Sequence, residues 1–208
     1  MDVYVINLKH RTDRLEKIQN QCKSLNSIKL NIFEALEGDK NEGWKYCALS
    51  HLEIIKQNRH KNKNILVFED DCDILNLNNF DEQWMNVKNW LDEHPDDWDI
   101  FNGGPTLVNQ SKSIEIINNN PKILKLEISK TTHFIYYNKK SFDEILKYDV
   151  NNNISIDSFY IWNPNLKVVT TFPLLASQYE SYSNITNKIS NYSMRFIMSK
   201  RFILRFIN

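Results

Sequence analysis

The sequence predicts an α/β fold in which a mixed, mainly parallel sheet is flanked by helices. Three observations lead there. Short apolar runs suited to strands alternate with stretches whose apolar residues recur at helical spacing. Two of the runs end abruptly, "ILVFEDD" in acids and "WDIFNGGP" in a glycine turn. A length of 208 residues, 41% of them hydrophobic and 25% charged, suffices for one substantial core and is short for two.

The elements follow in order. "DVYVINL" is a short apolar strand, and "TDRLEKIQNQCKSL" sets Leu15, Ile18, Cys22 and Leu25 at helical spacing behind Thr12 as N-cap. "KLNIFEAL" is a second strand; Gly38 and Gly43 then bracket a polar loop before "YCALSHLEIIKQNRH" resumes helical spacing. "ILVFEDD" is the third strand. "FDEQWMNVKNWLDEH" is helical through Phe80, Trp84, Val87 and Leu91 until Pro95 stops it, and "WDIFNGGP" is the fourth strand. Strands alternating with helices imply parallel neighbours, and such sheets place ligands at the carboxyl ends of their strands. Further on, "KILKLEI", "HFIYYN" and "LKVVTTF" read as strands and "KKSFDEILKY" as a helix. Residues 1–190 form a single domain, and 191–208 a basic amphipathic helix. In "SMRFIMSKRFILRFIN", Arg195, Lys200, Arg201 and Arg205 alternate with Phe, Ile, Leu and Met, without one acid. Such a helix either packs back on the domain or a partner chain, or makes peripheral contact with an anionic membrane.

Lys plus Arg number 26 and Asp plus Glu number 26, so no global field attracts nucleic acid. No apolar run reaches the length needed to span a bilayer. Cys22, Cys47 and Cys72 cannot all pair with one another, and the chain opens on strand-like residues without a basic leader; both features point to a reducing cytoplasm.

Chemistry concentrates after the third strand, at Glu69, Asp70, Asp71 and Asp73. If the backbone stays extended there, Glu69, Asp71 and Asp73 share one side and Asp70 faces the other. Two such charges about 7 Å apart repel by roughly 2–3 kcal/mol at an effective dielectric near 20. Water screens that repulsion, or a cation offsets it.

Several collinear blocks resemble glycosyltransferase family 25, the group that includes lipooligosaccharide and procollagen galactosyltransferases. They are "VYVINLKHRTDRLEKI", "GWKYCALSHLEIIKQ" and "ILVFEDD", followed by "DWDIFNGG", "THFIYYNKKSFDEIL", "ISIDSF" and "PLLASQ". The resemblance spans roughly residues 3–185. It implies a GT-A, Rossmann-like nucleotide-sugar transferase fold, a UDP-sugar donor (galactose first, glucose second), and Mn²⁺ or Mg²⁺. The acceptor it implies is a glycan, lipid-linked glycan or glycoprotein. A diphosphate leaving group needs a fixed cation against its developing charge, and carboxylates are the hard ligands that hold one.

The family blocks place Asp71 on the metal; Asp73 joins it by strand alternation alone, with a solvated loop acid as the other reading. Glu69 and Asp70 fall to ribose, donor hydroxyls or metal-bound water. Arg11 and Arg14 follow the first strand, where a guanidinium binds phosphate, ribose or a structural carboxylate. Asn7 and Leu8 would present backbone groups to uracil. Ser50 and His51 face the donor or form a satisfied core pair, His51 being placed to orient a carboxylate. Gln178 holds a sugar hydroxyl, a phosphate or a structural bond. Asp157, a lone acid, is the candidate base for the acceptor hydroxyl in an inverting transfer, and alternatively an N-cap for "SFYIW". Tyr46 and Phe134 depart from the family, which has a glycine and a small residue there. Trp98, near Asn102 to Pro105, fits either the core or a sugar-stacking platform.

The competing functions are another nucleotide-sugar or nucleotidyl enzyme sharing the acid cluster, and a transferase-like binding module that has lost catalysis.

Overall fold

The computed structural model describes residues 1–106, 114–183, 188–190 and 192–207, with the backbone alone for 40, 181–183 and 188–190. The first half alternates as expected. β1 (Asp2–Asn7) leads to α1 (Thr12–Cys22), β2 (Lys29–Glu34), α2 (Gly43–Asn58), β3 (Ile65–Glu69), a short β4 (Cys72–Ile74), α3 (Phe80–Glu93) and β5 (Ile100–Asn102). The second half carries β6 (Ile114–Asn119), β7 (Lys122–Leu126), β8 (Phe134–Tyr137), α4 (Phe142–Ile145), α5 (Ile156–Trp162), β9 (Val168–Thr171), β10 (Ala176–Gln178) and α6 (Ser193–Ile207).

Eight strands make one sheet in the order β2-β1-β3-β8-β5-β9-β7-β6. β1 pairs in parallel with β2 and β3, and β5 with β9; β8 and β7 run antiparallel to their neighbours. Six of the eight strands therefore point the same way. β4 and β10 form a separate antiparallel pair beyond the sheet's carboxyl edge.

Strand alternation assigns each side chain to a layer. Val3, Val5, Leu66, Phe68, Phe101 and Tyr136 pack under α1 and α3, while Ile6, Ile65, Val67, Ile100, Ile135 and Tyr137 pack under α2, α4 and α5. A third cluster seats Phe196, Phe202 and Ile203 of α6 on Ile114, Leu124, Leu126 and Leu174. Trp84 is fully buried in the first layer, edge-on to Phe134 and Tyr136 at 5.6 and 5.3 Å between ring centroids. Trp84→Ala is expected to cost about 3–5 kcal/mol in urea unfolding, with Trp84→Phe much milder.

Several sequence expectations change. Thr12 is not the N-cap of α1; Arg11 occupies that position with no side-chain cap bond. Gly43 is the first residue of α2 rather than the end of a loop. α4 is one turn long, and β6 lies partly in an Asn-rich stretch that carried no strand signal. Trp98 is core, fully buried with its indole N–H donated to the Leu91 carbonyl at 2.7 Å. Residues 191 and 208 of the expected terminal helix lie outside the described set.

Both departures from the family motif are matched by glycines. A Cβ on Gly38 would stand 1.9 Å from the Tyr46 ring, and one on Gly103 would stand 2.4 Å from the Phe134 ring. Each large ring occupies the space that a glycine leaves, so both are accommodated without displacing backbone.

Candidate active site

The carboxyl ends of β1, β3 and β5 meet the entry to the antiparallel β8 at one edge. The Glu69 amide donates to the His133 carbonyl and the Gly103 amide to that of Phe134, both at 3.0 Å. Asn102, at the end of β5, secures the loop before β8: its amide donates to Ser129 Oγ and the Thr131 carbonyl at 2.9 and 2.8 Å, and its Oδ1 accepts from the Gly104 amide. Thr131 is held at φ 78°, a left-handed conformation that a β-branched residue resists by about 1–3 kcal/mol. Its amide N–H is thereby aimed at Asp157 Oδ2, 3.1 Å away, while the next residue, Thr132, donates its hydroxyl to Glu69. One strained turn thus links Asp157 to Glu69.

The acid run does not stay extended. The chain turns at Asp70–Asp71, between β3 and β4, so the expected face of Glu69, Asp71 and Asp73 does not form. Each acid instead has its own surroundings. Asp70 is buried against Arg14, with Arg14 Nη1 at 2.6 Å from Asp70 Oδ1 and 3.6 Å from Asp71 Oδ2. Burial works against the Arg14 charge, but Asp70 and Asp71 more than offset it and raise its proton affinity. Asp73 sits on β4 opposite Ser177, whose hydroxyl donates to it at 3.4 Å. Asp71 lies in the turn and Asp73 on β4, so strict strand alternation does not relate the two.

Glu69 belongs to a buried chain of hydrogen-bonding groups. Its carboxylate lies 3.5 Å from His51 Nε2; His51 Nδ1 meets the Tyr137 hydroxyl at 2.8 Å, and that hydroxyl meets Tyr160's at 2.7 Å. Burial opposes ionisation of Glu69, yet His51 and Thr132 hold its pKa below the ordinary value. His51 thus stands 3.5 Å from a carboxylate, close enough for the electrostatic part of the role expected of it, but its Nε2 makes no hydrogen bond there. Cys47 lies close by: its sulfur, a His51 ring nitrogen and a Glu69 oxygen are within 4.8 Å of one another, the one such group of three among the described residues. Burial pushes the Cys47 thiol well above its usual range, which leaves it a poor nucleophile.

Asp71 is the acid left least compensated. Gln178 Nε2 on β10 donates to its Oδ1 at 3.2 Å, which unites two expected site residues. Burial, then the nearby Glu69 charge, raises its pKa to about 7. Between the ordinary 3.8 and about 7, the folded protein keeps a proton on Asp71 that the unfolded chain has released. This group therefore subtracts stability as pH rises through that window. Asp71→Asn is expected to raise the Tm of the metal-free protein at pH 8 and to change it little at pH 4, as thermal melts at both would record.

Asp157 accepts from Thr131 N–H and the Ser155 hydroxyl, with Lys130 Nζ 3.5 Å away. It lies in the first turn of α5, whose N-cap is Ser155, so the N-cap role does not apply. Trp162, at the other end of α5, is 67% exposed, with Lys130 Nζ 6.0 Å from its ring centre.

Four of the residues expected at the donor have partners within the protein. Ser50 is fully buried; its hydroxyl donates to the Tyr46 carbonyl and accepts from Leu36 N–H, which ties α2 to the preceding loop. Arg11 forms a two-bond fork with Asp13 at 2.9 Å each, which holds the Asp13 pKa down to about 2. The Asn7 and Leu8 carbonyls already accept from Ala35 and Arg11 amides at 2.9 and 2.8 Å. The Asn7 side-chain amide also donates to the Leu8 carbonyl.

Among the residues missed in sequence, Thr131, Thr132, Tyr137 and Tyr160 shape this site. Tyr179 also contributes, donating its hydroxyl to the Asp70 carbonyl at 2.8 Å beneath Lys17 Nζ, which sits 3.1 Å from its ring centre. The polar groups within the apolar "THFIYY" run are the one signal that could have found Thr132 and Tyr137.

An eight-stranded mixed sheet, flanked by helices and carrying buried acids at the carboxyl end of β3, is a GT-A-like α/β fold. The sequence model of Glycosyltransferase family 25 (LPS biosynthesis protein) matches residues 1–46, from β1 to the start of α2. Among solved structures, the chain is similar to a glycosyltransferase involved in the glycosylation of the major capsid of PBCV-1. That likeness has TM-score 0.52 at 10% identity, covers 89% of this chain and 95% of the other, and shows the fold alone. A looser likeness, to mannose-1-phosphate geranyltransferase from Thermus thermophilus (TM-score 0.41, 9% identity, 82% and 72% coverage), carries no argument. No curated protein matches the chain at a significant level. The partial family match supports a glycosyltransferase-like protein, and the GT-A-like fold is in accord with it.

Proposed function

We propose that the protein is a metal-dependent glycosyltransferase. It would move a hexose, galactose before glucose, from a UDP-sugar to a hydroxyl of a glycan, lipid-linked glycan or glycoprotein. The observation that carries this is Asp71: a half-buried carboxylate at the carboxyl edge of the sheet, its side chain 15% exposed, oriented by Gln178 and 3.6 Å from an Arg14 guanidinium nitrogen. A carboxylate whose charge is opposed by desolvation and by neighbouring Glu69 is stabilised by a cation it can reach, and its hard oxygens suit Mn²⁺ or Mg²⁺. Such an ion, held by Asp71, would supply Lewis-acid neutralisation of the diphosphate leaving group.

The chain's own residues do the rest. Gln178 fixes the Asp71 carboxylate, and Arg14 holds Asp70 so that the turn between β3 and β4 keeps its shape. Glu69, braced by Thr132 and His51, accepts hydrogen bonds from donor hydroxyls. Asp157 takes the proton of the acceptor hydroxyl as that oxygen attacks the anomeric carbon from the opposite side, giving inversion. Trp162, exposed on the same helix, offers a flat face to an acceptor ring. The free thiols Cys22, Cys47 and Cys72 accord with a cytoplasmic setting, and no helix among the described residues is long and apolar enough to cross a membrane.

The alternative is a binding module that has lost catalysis through changes such as Tyr46, where the family has a glycine. Gly38 leaves the space that the tyrosine ring occupies, so the fold accommodates the substitution. The test is hydrolysis of a panel of UDP-sugars with Mn²⁺. Release of UDP from UDP-galactose or UDP-glucose supports the proposal; metal-indifferent binding without turnover of any donor contradicts it.

A further inference from the structure

We infer that the outer face of α6 docks the protein on an anionic lipid surface. The helix is fixed by its inner face, where Phe196, Phe202 and Ile203 are buried in the third core cluster and Ser199 is buried beside them. What remains outside is unusually apolar. Met194 and Met198 are 66% and 58% exposed, and Ile197, Leu204 and Phe206 are exposed with them. One helix thus carries five of the eleven large hydrophobic side chains left exposed among the described residues. A patch of this kind on a helix whose other face is already satisfied marks an interaction surface rather than an unfinished core.

Charge selects the occupant. Arg195, Arg201 and Arg205 are exposed on α6, Lys200 is half-buried, and residues 193–207 contain no acid, in a chain whose formal charge is zero. At 100° per residue, Arg201 and Arg205 fall among Met194, Ile197 and Met198 on the outer face. Two copies paired through this face would set cations against cations. Nucleic acid has no use for the methionines and the aliphatic groups. Apolar side chains that enter the headgroup region, with arginines meeting lipid phosphates, satisfy both features at once.

The docked face is also joined to the candidate active site. α6 packs on β10, the strand that carries Gln178, and Phe196 stands edge-on to the buried His133 ring at 5.7 Å. His133 in turn follows Thr132, the hydroxyl donor to Glu69. A bilayer bound at α6 would therefore hold the site in a fixed orientation to the surface, as an acceptor embedded there requires.

The inference stands on α6 alone and does not need the donor chemistry. The test is co-sedimentation of the full chain with phosphatidylcholine vesicles, with or without phosphatidylglycerol, at low and high salt. Binding to the anionic vesicles that weakens with salt is expected. Arg201→Glu/Arg205→Glu and Met194→Ser/Met198→Ser should each lower partitioning at least about tenfold with unchanged thermal melts and unchanged UDP-sugar hydrolysis in solution. Absence of wild-type binding to anionic vesicles overturns the inference, as does equal binding by both double variants. A stable dimer in lipid-free solution that Met194→Ser/Met198→Ser dissociates would identify a second copy as the occupant, and would overturn it too.

Discussion

Asp71→Asn is expected to lower UDP-sugar hydrolysis and transfer by roughly two to three orders of magnitude, the range seen when one electrostatic element of a transition-state site is removed. Loss of activity alone would be ambiguous, because many buried substitutions unfold a protein. Here stability should move the other way. Asp71 ionises only near pH 7 because burial and the Glu69 charge oppose it, so its neutral isostere relieves the folded state at pH 8. An inactive variant that melts at or above the wild-type temperature separates function from folding. Mn²⁺ should raise the wild-type Tm and leave that of Asp71→Asn unchanged. Equal donor hydrolysis by the two proteins would remove Asp71 from the site.

Arg14→Ala should instead unfold the protein. Removing one partner of a buried ion pair typically costs about 3–5 kcal/mol, because the remaining charge is left without compensation. Here two carboxylates lose a partner, Asp70 at 2.6 Å and Asp71 at 3.6 Å. The loss should be greater at pH 8 than at pH 4, because burial raises the proton affinity of both acids and protonation removes the charge left without a partner. The Arg14→Ala/Asp70→Asn pair should recover part of the stability, a coupling that urea unfolding of the four proteins measures. If Arg14→Ala is as stable as the wild type but binds UDP more weakly, Arg14 contacts the donor, as the sequence also allowed.

The fold was legible wherever periodicity was strong. β1, α1, α2, β3 and α3 follow one another as the apolar spacing requires, since each buries a face in one of two layers, and β2 joins them as an edge strand whose residues are at most partly buried. Legibility failed where tertiary contacts decide. β6 is Asn-rich and borrows its strand character from pairing with β7. β10 is three residues long and exists as the partner of β4.

The acid run shows the same division. Its position at the end of β3 was readable, whereas its geometry was not: alternation assumes an extended chain, and the turn at Asp70–Asp71 is held by Arg14, Tyr179 and Gln178 from distant elements. The link from His51 to Glu69 was within reach of sequence reasoning, because a histidine in the helix before an acid-ended strand has few other partners. Thr131 gave no signal. Nothing in "SKTTHF" announces a threonine at positive φ, since the constraint comes from Asp157 and Asn102.

The most direct measurement is calorimetric titration of the wild-type chain with UDP, with and without Mn²⁺. Binding that tightens markedly when the ion is present, and that tightening lost in Asp71→Asn, is the expected result. UDP affinity indifferent to the ion, or no UDP binding in either condition, would contradict a metal-assisted diphosphate site at the end of β3.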